Sequence, residues 1–214
     1  MKAHEFIKEA KMDPGIRKAL AAKGYKFLGK GQDQDAYLAP DGTILKIFGT
    51  DRDSSITGYS EGQQSFVDFA NYCMKNSDNP FLPQFGGFER FEFGGKYYLQ
   101  IRCERLFGFD ENKADYIADF LEGFADNISR NNPKSIVKSF AKGSEWEEDN
   151  DAMAKFILFI GGEEPFKQLL KAMEDLNKIA DRKDYGFDLH SGNFMLGSDG
   201  HIVINDPFFT GTWR

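Results

Sequence analysis

The first half of the chain alternates short apolar runs with turn residues, a pattern typical of an antiparallel sheet. Strands are predicted at residues 25–28, 36–38, 43–48, 85–93 and 96–103. Pro40-Asp41-Gly42 predicts one of the turns between them, and Gly94-Gly95 predicts another. Residues 61–75 instead carry apolar side chains at helical spacing. The first half is therefore expected to contain five strands and one helix.

Helices are predicted at the N-terminus and through most of the second half. Residues 3–23 are expected to form two short helices, with Asp13-Pro14 at the start of the second and Gly24 as its stop. Apolar residues recur at helical spacing within 110–182, and Pro165 begins the clearest of these helices. The predicted fold class is α+β, in three parts: an N-terminal helical extension (1–24), a sheet region (25–106) and a mostly helical region that ends in a hairpin (107–214).

Composition narrows the class of protein. The 214 residues carry a net charge of −7 and the sequence pI is near 5.1, which argues against a surface that coats nucleic acid. No apolar run is long enough to span a membrane, and the N-terminal residues lack the apolar core of a signal peptide. A soluble, cytoplasmic protein with no membrane partner is expected. Cys73 and Cys103 lie in hydrophobic contexts, which favours reduced core thiols over a disulfide.

The candidate chemistry lies between Asp188 and Asp206. Asp199-Gly200 is a strong signal for a two-residue hairpin turn between two apolar runs. With that turn, Asn193 is expected opposite Asp206, which brings an amide oxygen and a carboxylate together. Such oxygens suit Mg²⁺, which usually takes one or two carboxylates plus phosphate oxygens and water. Asp188 lies on the approach to the hairpin, where it could orient an incoming hydroxyl or accept its proton.

The sequence Asp188-Leu189-His190-Ser191-Gly192-Asn193, followed by Asp206, resembles the catalytic loop and the metal-binding Asp of the protein kinase-like superfamily. The motif is most similar to the small-molecule and atypical branch, such as aminoglycoside and choline phosphotransferases, and to small kinase-like proteins of bacteria and phages. The resemblance implies ATP and Mg²⁺ as cofactors, with Asp188 as the catalytic base, Asn193 as a metal ligand and Asp206 as the main metal ligand. It also implies a two-lobed fold with a nucleotide-binding sheet and a reduced, mostly helical second lobe.

The predicted sheet region carries residues that fit the same family. Gly29-Lys30-Gly31 lies between two predicted strands and resembles a phosphate-covering, glycine-rich loop. Gln34 replaces the third glycine of the family's pattern. Lys46, on the strand predicted at 43–48, falls where the family's phosphate-pairing lysine belongs. The alternative for Lys46 is an edge-strand lysine that points to solvent.

The resemblance also implies a carboxylate partner for Lys46. Glu61 begins the predicted helix that follows this strand and is the best candidate. Glu89 and Glu92 are poorer candidates because they lie on a later strand. The backbone of residues 102–106 is expected to hold the adenine ring.

Three departures separate this chain from ordinary protein kinases. The family's His-Arg-Asp is Gly186-Phe187-Asp188 here, so control by a phosphorylated activation loop is not expected. The Asp-Phe-Gly motif is Asp206-Pro207-Phe208, which argues against the usual in/out switch of the Phe side chain. Only residues 207–214 follow Asp206, so no activation segment or peptide platform is expected. The helical region 110–182 is then expected to build most of the second lobe.

The sequence thus predicts an ATP- and Mg²⁺-dependent phosphotransferase that acts on a hydroxyl of a protein Ser/Thr or of a small molecule. Lys46 would hold the phosphates, and Glu61 would orient Lys46. A pseudokinase that binds nucleotide or a partner protein is one alternative, favoured by the degenerate glycine loop and the small C-terminal region. An adenylyltransferase on the same fold is a second alternative, and a chance match in an unrelated structural protein is a third.

Overall fold

The computed structural model describes residues 13–30, 34–49, 61–108, 156–187 and 193–210. The helices and strands are α1 (Pro14–Ala22), β1 (Lys26–Lys30), β2 (Asp35–Leu38), β3 (Ile44–Gly49), α2 (Glu61–Lys75), β4 (Phe85–Phe93), β5 (Lys96–Cys103), α3 (Glu163–Lys183), β6 (Gly186–Phe187), β7 (Phe194–Leu196), β8 (Ile202–Ile204) and β9 (Phe208–Phe209). The predicted α+β class is confirmed. None of the described helices is long and apolar enough to span a membrane.

The chain divides into two compact units. The first contains Met1–Val67 and Phe85–Arg105, and the second contains Asp68–Gln84 and Leu106–Arg214. The division falls within α2, so this helix contributes residues to both units. The helices predicted within 110–155 lie outside the described residues, although residues 156–159 are helical. The first of the two helices predicted within 3–23 also lies largely outside them.

The first unit contains a five-stranded antiparallel sheet in the order β1-β2-β3-β5-β4. Both predicted turns are confirmed. The β2–β3 turn closes where Ala39 N–H donates to the Thr43 carbonyl at 2.8 Å, with Gly42 at a φ of 85°. Gly94 and Gly95 join β4 to β5 with φ values of 60° and 73°, which two-residue hairpin turns demand and glycine adopts readily. In this strand order, β3 lies in the centre of the sheet, between β2 and β5.

Side chains on both faces of β3 are buried. On one face, Ile16 of α1 joins a core cluster with Tyr37, Leu45, Ile47 and Tyr98. On the other face, the ring of Phe48 packs against Phe66 of α2, with centroids 5.1 Å apart. Successive side chains of a strand point to opposite faces. Burial on both faces explains why β3 is a nearly continuous apolar run and does not alternate.

The helix α1 begins and ends where its sequence predicts. The Asp13 side chain accepts a hydrogen bond from Gly15 N–H at 2.8 Å, and Pro14 occupies the first helical position. Gly24 follows the helix with a φ of 84°. In the second unit, α3 begins at Glu163, two residues before the predicted start at Pro165. A proline is accepted in this first turn because its missing N–H would have no acceptor within the helix.

An ion pair links α1 to β2. Arg17 lies 3.3 Å from the carboxylate of Asp35, whose side chain is only 2% exposed. The Tyr37 hydroxyl donates to the same carboxylate at 3.1 Å. Burial, together with the Asp35 charge, raises the pKa of Tyr37 to about 12. The guanidinium of Arg17 also stacks 3.6 Å from the centroid of the Phe27 ring. Asp35 thus has the partners that a buried carboxylate needs.

Arg17→Met is expected to lower the free energy of unfolding, because it leaves the Asp35 carboxylate buried without its cation. Lys18→Met, on the same helix and exposed, is the matched control and is expected to be neutral. Urea denaturation measures both. Adding Asp35→Asn to Arg17→Met should recover part of the loss, since it removes the unpaired charge. Equal losses for Arg17→Met and Lys18→Met would contradict this account.

The two cysteines are core thiols, as the sequence predicted. Cys73 lies in α2 and Cys103 at the end of β5, and both are buried and free. Burial raises the pKa of each thiol. Both side chains therefore stay protonated and serve as small apolar residues.

Candidate functional site

The predicted C-terminal hairpin is present in the second unit. Its strands β7 and β8 pair antiparallel, and Phe194 and Ile202 are each 1% exposed. The turn contains residues 198–200 and is one residue longer than predicted, because Gly197 N–H donates to the His201 carbonyl at 2.9 Å. Gly200 has a φ of 84°. A left-handed residue at the last position is typical of three-residue hairpin loops.

The longer turn shifts the hairpin register by one residue. Asn193 stands opposite Asn205, whose N–H donates to the Asn193 carbonyl at 2.7 Å. The prediction that Asn193 faces Asp206 across the hairpin is therefore wrong by one position. An Asp-Gly pair fits both turn lengths, and local chemistry does not distinguish them. Asp206 follows Asn205 directly, so both predicted metal ligands lie at the open end of the hairpin.

Asp206 has an unusual backbone conformation. Its φ is 49°, in the left-handed region, and its side chain is exposed. Among residues with a Cβ, Asp and Asn tolerate this region best, at a cost of roughly 1–2 kcal/mol. Strained backbone of this kind clusters at functional sites. Three residues link β8 to β9. Asn205 is half-buried and Pro207 is buried, whereas Asp206 between them is exposed.

A second pair of short strands flanks the predicted catalytic residues. In this pair, β6 and β9 are antiparallel, with Gly186 opposite Phe209 and Phe187 opposite Phe208. The strand β6 directly precedes Asp188, and β9 begins two residues after Asp206. A Cβ at Gly186 would lie 1.8 Å from the Phe209 ring, so a larger residue there would displace the ring. Residues 188–192, which include the predicted base Asp188, lie outside the described residues.

The aromatic ring of Phe208 anchors this strand pair. Its centroid lies 5.6 Å from that of Tyr185 and 6.2 Å from that of Phe69 in α2. The Tyr185 hydroxyl donates to Asp68 at 2.9 Å, and Lys183 lies 3.4 Å from the same carboxylate. In the sequence, Phe208 is notable only as part of the departure from the Asp-Phe-Gly motif. Its contacts instead join the segment after Asp206 to α2.

The hairpin is also tied to segments that are distant in the sequence. Phe107 and Leu196 exchange two backbone hydrogen bonds of 2.8 and 2.7 Å, and Ile204 N–H donates to the Phe81 carbonyl at 2.9 Å. The predicted adenine-binding stretch, 102–106, ends directly before Phe107. Within it, the Arg102 side chain is already bound, since it donates to the Tyr25 hydroxyl at 2.6 Å and to Asp41 at 3.0 Å.

Lys46 belongs to the first unit. It lies on β3 between Ala36 of β2 and Ile101 of β5, so the edge-strand alternative is wrong. Its side chain is half-buried, and its Nζ lies 4.5 Å from the centroid of the Phe66 ring. No ion pair between described residues involves Lys46. This half-buried ammonium group therefore has an aromatic face as its described partner.

The candidate carboxylates for Lys46 differ in position. Glu61 is the first residue of α2, as predicted, but its side chain lies outside what the structure describes. Its pairing with Lys46 stays a prediction. Glu89 accepts a hydrogen bond from Gln100 at 2.7 Å, and both Glu89 and Glu92 lie on the edge strand β4. Because β5 separates β4 from β3, these two residues remain the poorer candidates.

Only part of the predicted glycine loop lies within the described residues. Gly29 lies within β1, just after a bulge, and pairs with Ala36. A Cβ at Gly29 would meet nothing within 4 Å, so packing does not demand glycine there. The side-chain oxygen of Gln34 is buried, and no hydrogen-bond partner for it is present among the described residues. Gly31 lies outside the described residues.

A metal site at the hairpin would use few protein ligands. Within the described parts of the chain, no three His, Cys, Asp or Glu side chains are grouped so as to hold a metal ion. The predicted ligands are one amide oxygen, from Asn193, and one carboxylate, from Asp206. This set fits Mg²⁺, which commonly keeps water and phosphate oxygens in its other positions.

No protein-family model matches this chain, and no curated protein matches it. The residues whose chemistry and positions bear on function are Lys46 in the first unit, and Asn193 and Asp206 in the second.

Proposed function

We propose that the protein is an ATP- and Mg²⁺-dependent phosphotransferase of the protein kinase-like superfamily, which transfers the γ-phosphoryl group to a hydroxyl. The observation that carries the proposal is the open end of the β7–β8 hairpin. There, Asn205 N–H donates a hydrogen bond to the Asn193 carbonyl, which holds the two strand ends together. One strand end carries Asn193, and the other leads directly to the exposed Asp206. An amide oxygen and a carboxylate on a paired hairpin suit a Mg²⁺–phosphate ligand.

The first unit supports the proposal independently. In the family, the phosphate-binding lysine lies on the third strand of the sheet, and a helix follows it. Lys46 has this position, on β3 with α2 as the next described element. A half-buried ammonium group without a carboxylate partner among the described residues can donate hydrogen bonds to phosphate oxygens. Gly29, which packing does not demand, would let a phosphate approach the backbone closely.

The chain's own residues would have distinct roles in transfer. Lys46 would hold the phosphates by charge, and Asn193 with Asp206 would hold Mg²⁺. When bound, Mg²⁺ would neutralise the charge on the phosphate oxygens. Asp188 would orient the acceptor hydroxyl and accept its proton. Phosphoryl transfer depends mainly on such positioning and charge stabilisation, which are the roles proposed for these four residues.

Thermal melting of the wild-type protein tests the binding step. ATP with Mg²⁺ at about 100 times its Kd should stabilise the fold by roughly 2.7 kcal/mol, which corresponds to a Tm increase of about 5–10 °C for a chain of this size. ATP with EDTA is the control and should give a smaller shift. No shift with ATP and Mg²⁺ would contradict the proposal.

Isotope labelling separates the alternatives. Transfer of label from γ-³²P ATP, and not from α-³²P ATP, to a component of a cell lysate is the expected result. Label from α-³²P ATP would instead indicate adenylyl transfer, and binding without any transfer would favour the pseudokinase. Dividing the lysate into a desalted protein fraction and a small-molecule fraction assigns the acceptor to one of the two classes left open by the sequence.

A further inference from the structure

The contact between Lys46 and Phe66 has a geometry that can orient the ammonium group. Its Nζ lies 4.5 Å from the centroid of the Phe66 ring. A cation within about 6 Å of an aromatic face is attracted by the negative charge of that face. The ring is 4% exposed, so water does not compete strongly for this face.

The Phe66 ring is itself held firmly. Its centroid lies 5.1 Å from that of Phe48, which is two residues from Lys46 on β3, and 5.7 Å from that of Phe85. One turn earlier in α2, the buried Gln63 donates to the carbonyl of Gly49, the last residue of β3, at 3.0 Å. Contacts along one face of α2 therefore fix the ring relative to the strand that carries Lys46.

An aromatic partner and a carboxylate partner would leave Lys46 in different states. A carboxylate would take one or more of the three N–H donors and would neutralise most of the charge. An aromatic face is a weak acceptor that occupies about one of the three N–H directions, and it leaves the positive charge in place. The aromatic arrangement therefore keeps the other donors available for a phosphate.

We propose that Phe66 is the positioning residue for Lys46, and that its ring face directs the ammonium group toward the nucleotide phosphates in the role expected of a carboxylate. This inference rests on the proposed function. Glu61 is its direct rival, because it begins the same helix and is the carboxylate that the sequence favours for an ion pair with Lys46.

Stepwise fluorination of the Phe66 ring tests the inference. Fluorine withdraws electron density from the ring face and changes the ring's size little, so phenylalanines with one, two and three fluorines weaken only the electrostatic part of the contact. The Kd for ATP with Mg²⁺ is expected to rise at each step, by roughly five- to tenfold over the series. The same series at Phe91, which stacks on Tyr98 on the other face of the sheet, is the control and should give a constant Kd.

Two further comparisons make each outcome decisive. A constant Kd over the Phe66 series, with a large loss for Glu61→Gln, would overturn the inference in favour of the ion pair and leave the proposed function intact. Wild-type protein that binds no ATP would overturn both. The free energy of unfolding, measured without nucleotide, tests the contact between Phe66 and Lys46 independently of ATP binding. Fluorination at position 66 should lower this free energy more in the wild-type background than in the Lys46→Met background. Equal effects in the two backgrounds would show that the ring does not hold Lys46.

Discussion

Asp206→Asn is expected to reduce γ-phosphoryl transfer on the order of 10³-fold, because a metal ligand contributes several kcal/mol of charge stabilisation in the transition state. An amide oxygen keeps the shape of the side chain but lacks the charge that holds Mg²⁺. Asn also tolerates the left-handed backbone of position 206, where φ is 49°. The fold should therefore be preserved. Initial rates over a range of Mg²⁺ concentrations measure the loss, and raised Mg²⁺ should restore part of it.

Asp199→Asn is the matched control for this experiment. Asp199 lies in the turn of the same hairpin, its side chain is 71% exposed, and its carboxylate accepts from His201 N–H at 3.2 Å. Its hydrogen bonds with the side chain and with the backbone N–H of His201 lower the pKa of Asp199, and they lie at the other end of the hairpin from Asn193. The control should keep the wild-type rate. Equal losses for the two variants, or a wild-type rate for Asp206→Asn, would contradict the assignment of Asp206 as a metal ligand.

Gly186→Ala is expected to lower the free energy of unfolding by about 2 kcal/mol, because the added methyl group overlaps a half-buried aromatic ring. The added Cβ would lie 1.8 Å from the ring of Phe209. Phe209 is paired with Gly186 along the strands and its ring is half-buried, so relief requires the ring to leave its place over Gly186 or β6 and β9 to separate. Urea denaturation measures the loss. Because β6 directly precedes Asp188, phosphoryl transfer by the folded variant should fall as well.

Gly29→Ala provides the opposite case. A Cβ at this position meets nothing within 4 Å, and Gly29 is not among the glycines with a positive φ. The free energy of unfolding of Gly29→Ala should stay within about 0.5 kcal/mol of the wild type.

Adding Phe209→Leu to Gly186→Ala should recover part of the lost stability by making room for the methyl group. Gly186→Ala with wild-type stability would contradict the packing of Phe209 over β6.

Much of the fold follows from residues that are adjacent in the sequence. The bounds of α2 and the β4–β5 hairpin agree with the prediction, because helical spacing and a Gly-Gly turn are local properties. The same local reasoning misplaced the register of the last hairpin by one residue. The difference is that Gly197 pairs with His201, which makes 198–200 the loop, and an Asp-Gly pair is compatible with either length.

The reactive groups of the candidate site could be predicted from the sequence, but the contacts of these groups could not. The carboxylate of Asp206, the amide of Asn193 and the ammonium of Lys46 can be read from the printed residues and their spacing. The partner of Lys46 could not be read in this way. Phe66 lies twenty residues further along the chain, and its contact with Lys46 depends on how α2 packs against the sheet.

The sequence by itself determined the type of most of the described elements and the identity of the reactive groups, because periodicity, caps and side-chain chemistry are local. Only the tertiary structure decided that β3 is an interior strand, because strand order arises from the pairing of β3 with β5 and not with its neighbour in sequence, β4. That order makes Lys46 a half-buried cation beside an aromatic ring instead of an exposed lysine on an edge. The pairing of β6 with β9 was likewise decided by packing, through Gly186 and Phe209.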